Sequence, residues 1–412
     1  MSIDELFDQQ DFSSILNVSA EMIFVLVGIS VICTSDSEMN EQQNEEPRHS
    51  ETIPSQWPET TRAEWVYGIA TSCIMGLIFG MMFTKSRVFV PENIRGQFIF
   101  TRWIMLKMFL GAMGGSCFAI VIASVIKPDS FHLARSVWAN VSKQNIISLV
   151  FGALCLGAGM AVAGACPGMV LAQIGAGIEN SWVTALGGLA GSFSYGLIHP
   201  FIHVPLPLFQ TAYVDQLINY TFALLTTALG MICILCAIIL ELVIEFQTET
   251  TLSSAWNPTF CGIVIGFLQI PAVTLIGTFL GSSTSYQVLC STCMIWTLPV
   301  TNFWNYFQAF LQPRIQSYWQ IFYVAFAILG AYIIEYHLHD FGGKEHGVDA
   351  TMAFVGGFLM LFGSRMAGGC TSGHGISGCP ILMIYSFIAV PVMFIGGIAT
   401  GFIMDAHTND FY

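Results

Sequence analysis

The sequence contains two matched segments, GALCLGAGMAVAGACPG at residues 152–168 and GGFLMLFGSRMAGGCTS at residues 356–372. An offset of 204 residues gives five identities between them. Four of these are Gly or Ala, and the fifth pairs Cys166 with Cys370. Each segment ends an apolar run with a cysteine in a glycine-dense turn. The sequence therefore predicts two copies of one structural unit.

Composition indicates a membrane protein. Of the 412 residues, 54% are hydrophobic and only 9% are charged, and the mean hydropathy is +0.68. Soluble domains carry about 25% charged residues, so a soluble chain of this composition would leave large apolar patches in water. The chain also has no basic patch, which argues against nucleic acid as a partner. The lipid bilayer is the expected environment.

Apolar runs of the length that a bilayer requires, about 20 residues, recur along the chain. They predict an all-α polytopic membrane protein with about 9–11 spans. The first transmembrane repeat is expected at 65–243 and the second at 244–412. The clear candidate spans are 65–84, 103–126, 146–163, 181–199, 218–243, 259–280, 320–336, 351–367 and 380–404, and a weaker one is 284–300.

The N-terminal segment 1–64 differs from the rest of the chain. It is acidic and rich in Gln, Asn, Ser and Pro, so it is expected to be largely disordered. Residues 18–34 within it are apolar but contain Glu21. A signal anchor and an additional first span both remain open for this run, because residues 1–17 hold no Lys or Arg.

The two repeats are expected to be inverted in the membrane, because five spans, an odd number, precede the second copy. Five Lys or Arg residues follow span 65–84 by residue 107, four of them before span 103–126 begins, whereas the loop after span 259–280 has none before Arg314. Since basic loops stay cytoplasmic, the two loops should face opposite sides. Lys127, Arg135 and Lys143 oppose this orientation if 103–126 is a single span.

The glycine-dense stretches 164–177 and 368–380 do not fit simple helices. Irregular backbone at membrane depth is tolerated only where protein covers it or where it lines a cavity. These stretches are therefore predicted to form re-entrant or broken helices.

Three stretches carry a family resemblance: GMAVAGACPG at 159–168, RMAGGCTSGHGISG at 365–378 and FGMMFTKSRVFVPENIRGQFIFTRWIMLKMFLGA at 79–112. They resemble the YeeE/YedE family of sulfur-transport membrane proteins, over roughly residues 65–405. The resemblance implies thiosulfate import through an inverted-repeat helical fold, along a central path lined by cysteines.

The resemblance also implies which cysteines line the path. A cysteine in each glycine-rich segment corresponds to Cys166 and Cys370. A further cysteine near the start of the second half corresponds to either Cys290 or Cys293. Phe89 stands near the place where many relatives have another cysteine, so a fourth site is doubtful.

Thiosulfate is a dianion, and a path for it must replace its water with hydrogen-bond donors. Half-helix N-termini supply partial positive charge without a full countercharge, and glycine lets that backbone approach an anion closely. A neutral thiol adds a weak S–H donor, and a thiolate would repel the substrate, so the cysteines are expected to stay protonated. The remaining candidate substrate-binding residues are Gly164, Gly168, Gly369, Thr371, Ser372, Gly373 and His374.

Other chemistry has weaker support. Cys290 and Cys293 form a CxxC, but a metal site needs about four ligands at suitable spacing and the sequence offers no such set around them, so neither a metal nor another cofactor is expected. His374 is expected to orient its loop or donate a hydrogen bond. Arg365 lies in an apolar run, where a functional charge and a snorkelling helix-end arginine are equally open.

The chain is therefore predicted to be a transporter of thiosulfate or a similar small sulfur anion in the plasma membrane, and not an enzyme. A soluble sulfur-handling protein is a further candidate partner. Two alternatives remain open. One is a membrane thiol-dependent sulfurtransferase or redox protein, which would need a low-pKa thiolate beside a cation. The other is a carrier of sulfite or a selenium compound.

Overall fold

The computed structural model describes residues 61–141, 145–202, 211–244, 255–297, 305–311, 314–337 and 346–407. The apolar run 18–34 and nearly all of the acidic segment 1–64 lie outside these residues. In chain order the helices are α1 (Arg62–Lys85), α2 (Pro91–Phe98), α3 (Ile104–Ile126), α4 (Pro128–Val141), α5 (Ile146–Ala163), α6 (Met169–Gly175), α7 (Ser181–Ile202), α8 (Val214–Leu217), α9 (Phe222–Val243), α10 (Pro258–Ile276), α11 (Ser283–Thr297), α12 (Asn305–Gln308), α13 (Ile315–Tyr336), α14 (Ala350–Ala367), α15 (Ser372–Gly378) and α16 (Ile384–His407).

The predicted all-α polytopic membrane architecture is confirmed, and the chain is a multi-pass integral membrane protein. Among the described residues, eight helices are long and apolar enough to cross a membrane: α1, α3, α5, α9, α10, α13, α14 and α16. Two predicted spans are not among the eight. Span 181–199 forms the long helix α7, whose Gly, Ser and His residues lower its hydropathy. Span 284–300 forms α11, which has only 15 residues.

The two matched segments form α5 and α14, which pack directly on each other. A Cβ added to Gly152 would lie 2.8 Å from Gly363 O, and one added to Gly159 would lie 2.7 Å from Gly356 O. The start of each helix therefore meets the end of the other, so the equivalent helices run antiparallel. This is the relation that an inverted repeat requires. Glycine permits the close approach, as is typical of helix contacts in membranes.

Neighbouring helices pair in the same reciprocal way. Helix α1 of the first half packs on α13 of the second, and α3 of the first half packs on α10 of the second. Likewise α7 packs on α14, and α16 packs on α5. Each half therefore contributes helices to the other half's core, and neither repeat encloses a core alone.

Both central helices end in the same manner. Gly164 and Gly368 follow α5 and α14 with φ of 59° and 80°, a left-handed conformation that glycine adopts at low cost. A seven-residue helix follows each turn: α6 in the first half and α15, which has π-helical geometry, in the second. Seven residues rise about 10 Å, too little to cross a bilayer. These are the short helices expected of re-entrant or broken segments.

The structure replaces the expected basic loop after α1 with a short helix, α2, most of which is buried. The Arg95 guanidinium donates to Val162 O at 2.7 Å, at the end of α5. Lys107 is 2% exposed and pairs with Glu241 at 3.2 Å. Because these cations have partners within the protein, the basic residues of this stretch are part of the helix packing and do not form a free loop.

The α5–α14 contact gives a stability prediction. We expect Gly159→Ala to destabilise the protein by about 1–3 kcal/mol, because the new Cβ would lie 2.3 Å from the Met360 backbone nitrogen. Gly281→Ala is the matched control, since its Cβ would meet Gln320 Nε2 at an ordinary 3.5 Å. The midpoint of thermal unfolding of the purified protein in detergent checks this, and equal midpoints for the two variants would contradict the packing described.

Candidate functional site

The first tip, residues 164–168, places Cys166 between α5 and α6. Cys166 is 6% exposed, and the backbone N–H groups of Gly168 and Met169 interact with its sulfur. Gln173 of α6 holds the turn, because its Nε2 donates to Gly164 O at 3.0 Å and to Phe89 O at 2.9 Å. The sulfur thus lies at the start of a short helix, among backbone donors.

The second tip, residues 368–372, places Cys370 between α14 and α15, where it is 1% exposed. The Ser372 hydroxyl is 3.1 Å from the Cys370 sulfur, and the Ser282 hydroxyl is 3.7 Å from it. The Ser283 hydroxyl and the backbone N–H groups of Ser282 and Gly373 also interact with this sulfur. Hydroxyl and amide donors therefore converge on Cys370 more densely than on Cys166.

Ser282 and Tyr286, at the beginning of α11, join the two tips. The Ser282 hydroxyl, which reaches Cys370, would lie 3.1 Å from a Cβ added to Gly168 in the first tip. The Tyr286 hydroxyl donates to Pro167 O at 3.3 Å. The two glycine-rich segments therefore meet across the start of a third element, which belongs to the second half.

A cavity lies against the tips, and we call it the tip cavity. Cys166, Gly168, Thr371 and Ser372 form one wall, although nearly all of the surface that lines the cavity is apolar. The facing wall is apolar, and it consists of Phe79, Phe83, Met105, Met108, Phe109, Ala112, Ile265 and Ile376. Most of these apolar side chains come from α1 and α3. The cavity surface is thus almost wholly apolar, with the tip residue Cys166 on one side and polarizable aromatic and thioether groups on the other.

The other predicted residues of the second tip support its conformation. The His374 Nε2 donates to Ala367 O at 3.2 Å, so Nδ1 accepts from the Ser386 hydroxyl at 3.0 Å. Both ring nitrogens are used within the protein, which matches the expected role in orienting the loop. A Cβ on Gly369 would lie 3.0 Å from this ring. The Thr371 hydroxyl lies 3.2 Å from the Met160 sulfur.

Cys290 and Cys293 lie apart from the tips. The Cys290 thiol donates to Leu189 O at 3.5 Å and packs with Met294 and Phe307. Cys293 is exposed, and neither residue lines the tip cavity. The described cysteines are all free, and no group of three His, Cys, Asp or Glu in this part of the chain is arranged to hold a metal.

Sequence reasoning missed Ser282, Ser283 and Tyr286. The available signal was the run GSSTS at 281–285, a cluster of small polar residues inside an apolar half of the chain. It also missed Gln269, whose Nε2 donates to Ile376 O at 3.1 Å and to the Ser377 hydroxyl at 2.7 Å. Gln269, which belongs to α10, therefore anchors α15 through two hydrogen bonds.

Arg365 is the cation that connects to the second tip. It is 8% exposed, and its Nη2 donates to the Ser283 hydroxyl at 2.6 Å. The arginine is thus enclosed by protein, and its side chain does not reach outward as a snorkelling residue would.

The chain is similar to known transport proteins. The family model described as sulphur transport matches residues 85–399, well over half of the chain. The chain belongs to the sulphur transport family. It is 25% identical over 337 residues to a protein of Spirochaeta thermophila named thiosulfate transporter TsuA, covering 78% of this chain and 94% of the relative. Over 53 residues it is 42% identical to a probable transporter of Xylella fastidiosa, covering 13% of this chain and 39% of that protein.

The matched region of the sulphur transport family includes both tips, α2 and the start of α11. Phe79 and Phe83, which line the tip cavity, lie just before the matched region. The chain is a membrane transporter of the sulfur-anion class.

The width of the tip cavity can be tested at Gly168. A Cβ there would lie 3.1 Å from the Ser282 hydroxyl and 3.2 Å from the Phe79 ring, both of which are side-chain ends that can shift. We expect Gly168→Ala to reduce uptake of a labelled sulfur anion moderately and Gly168→Val to abolish it, since the second variant fills the cavity. Thermal unfolding serves as the control for folding. Normal uptake by a folded Gly168→Val protein would show that the cavity is not on the path.

Proposed function

We propose that the protein imports thiosulfate, or a closely related small sulfur oxyanion, past the two cysteine tips. The observation that carries this proposal is the meeting of the two cysteine tips beside the tip cavity. Hydroxyl and backbone N–H groups gather around the two sulfur atoms, and the cavity is lined mainly by aromatic, aliphatic and thioether side chains. Thiosulfate has groups for both surroundings, because its oxygens accept hydrogen bonds and its terminal sulfur is large and polarizable.

Among the described residues, the groups that contact the two tip cysteines are neutral, which suits transport. Neutral donors at short-helix N-termini stabilise an anion without a full countercharge. In this scheme Cys166 and Cys370 would be successive contacts for the passing anion, with the Cys166 thiol as a weak S–H donor. The relative named thiosulfate transporter, which the chain matches over 94% of that protein's length, supports thiosulfate as the substrate.

Transport without covalent chemistry is the simpler use of this site. An enzyme would need a nucleophilic thiolate and a route for its leaving group. Cys379, the partner that a redox pair with Cys370 would require, is buried and forms no disulfide. The proposed role therefore requires no reaction at sulfur. The driving force would come from a gradient or from consumption of the anion after entry.

Growth provides the test. The chain is expressed in cells that lack other thiosulfate uptake, with thiosulfate as the sole sulfur source. We expect the intact protein to restore growth, and we expect Cys166→Ala and Cys370→Ala each to reduce uptake about tenfold or more, because a charge-assisted contact is lost at a desolvated site. Cys261→Ala is the control, since Cys261 is 0% exposed and lies outside the cavity lining.

The outcomes separate the candidate functions. Full activity of both tip variants would contradict a role for the thiols. If the intact, membrane-inserted protein did not restore growth on thiosulfate but took up labelled sulfite or selenite, those anions would be the proposed substrates instead. Thiosulfate labelled separately at its two sulfur atoms distinguishes transport from sulfur transfer, because a transporter delivers both labels in equal amounts.

A further inference from the structure

Helix α11 carries a buried polar stripe that leads away from the second tip. Ser283, Gln287 and Ser291 are spaced four residues apart, so they share one helix face. Their exposures are 2%, 0% and 0%. The first of them, Ser283, interacts with the Cys370 sulfur. The stripe therefore begins at the site already described and continues for two helical turns into the protein.

Several polar atoms along this stripe and beside it on α14 are unpartnered. Gln287 Nε2 and Ser291 Oγ on α11, and Ser364 Oγ and Arg365 Nε on α14, have no hydrogen-bond partner among the described residues. All four residues are more than nine-tenths buried. An unsatisfied buried polar group is costly, above all at membrane depth, and such groups in a native protein call for a ligand, an ion or water.

Arg365 adds a charge to this set. Its Nη2 donates to the Ser283 hydroxyl at 2.6 Å, and within the described part of the chain no carboxylate pairs with it. Cys290 and Tyr306 also lie within electrostatic range of its charge. A buried cation without a countercharge is strongly unfavourable. A small anion beside it would remove that penalty.

The first half has no equivalent of this arginine. The residue 204 positions before Arg365 is Ala161. Arg95 lies near that position, but its guanidinium donates to the carbonyls of Ala161 and Val162. The buried cation is therefore an addition made to one repeat only, and the antiparallel packing of α5 and α14 does not require it.

We propose that Arg365, together with the buried donors Ser283, Gln287 and Ser291, forms a second binding station for the transported sulfur oxyanion, reached after the cysteine tips. This inference rests on the proposed function. The anion passes from the neutral donors at Cys370 to the charged guanidinium of Arg365. Ser283 contacts both Cys370 and Arg365. Cys290 lies beside this second station and not at the tips.

The test uses the full chain in proteoliposomes and measures initial rates of labelled thiosulfate uptake against concentration. We expect Arg365→Gln to raise the half-saturating concentration about tenfold or more, as loss of a charged hydrogen-bond partner predicts. Arg365→Lys should recover part of that loss, because it restores the charge without the guanidinium geometry. Arg102→Gln is the matched control, since Arg102 is partly exposed and pairs with Glu92 at 3.1 Å.

Ser291→Ala keeps the proposal falsifiable if Arg365 variants fold poorly. If nothing binds at the stripe, removing an unpartnered hydroxyl should leave uptake unchanged and should not destabilise the protein. If the anion uses it, uptake should fall several-fold while the unfolding temperature stays the same. If Arg365→Gln and Ser291→Ala both gave the same curve of uptake rate against concentration as the wild-type protein, the second station would be overturned. No thiosulfate uptake by the wild-type protein would instead overturn the proposed function, and the station with it.

Discussion

The structure depends on the antiparallel contact between α5 and α14, in which glycines allow two helix backbones to touch. Gly152 contacts Gly363 and Gly159 contacts Gly356. Because residues 152 and 159 are equivalent to 356 and 363 in the repeat, the two helices use equivalent positions in this contact. Because both helices end immediately afterwards in a left-handed glycine, the direction of the chain at each cysteine follows from this contact. A side chain at the crossing would separate the helices and move both tips.

The sequence predicted the parts of this architecture that are local. The cysteine tips and the broken helices around them follow from the dense glycine and from the offset of 204 residues. The start of α11 was not predictable in the same way, because Ser282 and Tyr286 act through contacts with residues far away in the chain. The role of α2 was hidden for a related reason. Its basic residues resemble a topology signal, and only tertiary structure shows that Arg95 caps the end of α5.

The two tip cysteines have different hydrogen-bond donors around them, although they occupy equivalent positions in the repeat. Backbone amides surround Cys166, whereas two serine hydroxyls from α11 and one from α15 add to the amides at Cys370. The second tip therefore has more hydrogen-bond donors around its sulfur than the first, and Arg365 behind Ser283 increases the difference. The two halves therefore share a backbone arrangement but differ in the side chains that surround the cysteines.

The pairing of α5 with α14 also has a consequence for biosynthesis. The two helices are separated by about half of the chain, so their contact cannot form until α14 has been translated and inserted. Until then the glycine-lined face of α5 must remain in lipid or against provisional neighbours, which costs little because lipid tails are as apolar as a helix surface. The first cysteine tip is therefore among the early parts of the chain to be made and among the last to reach its final shape.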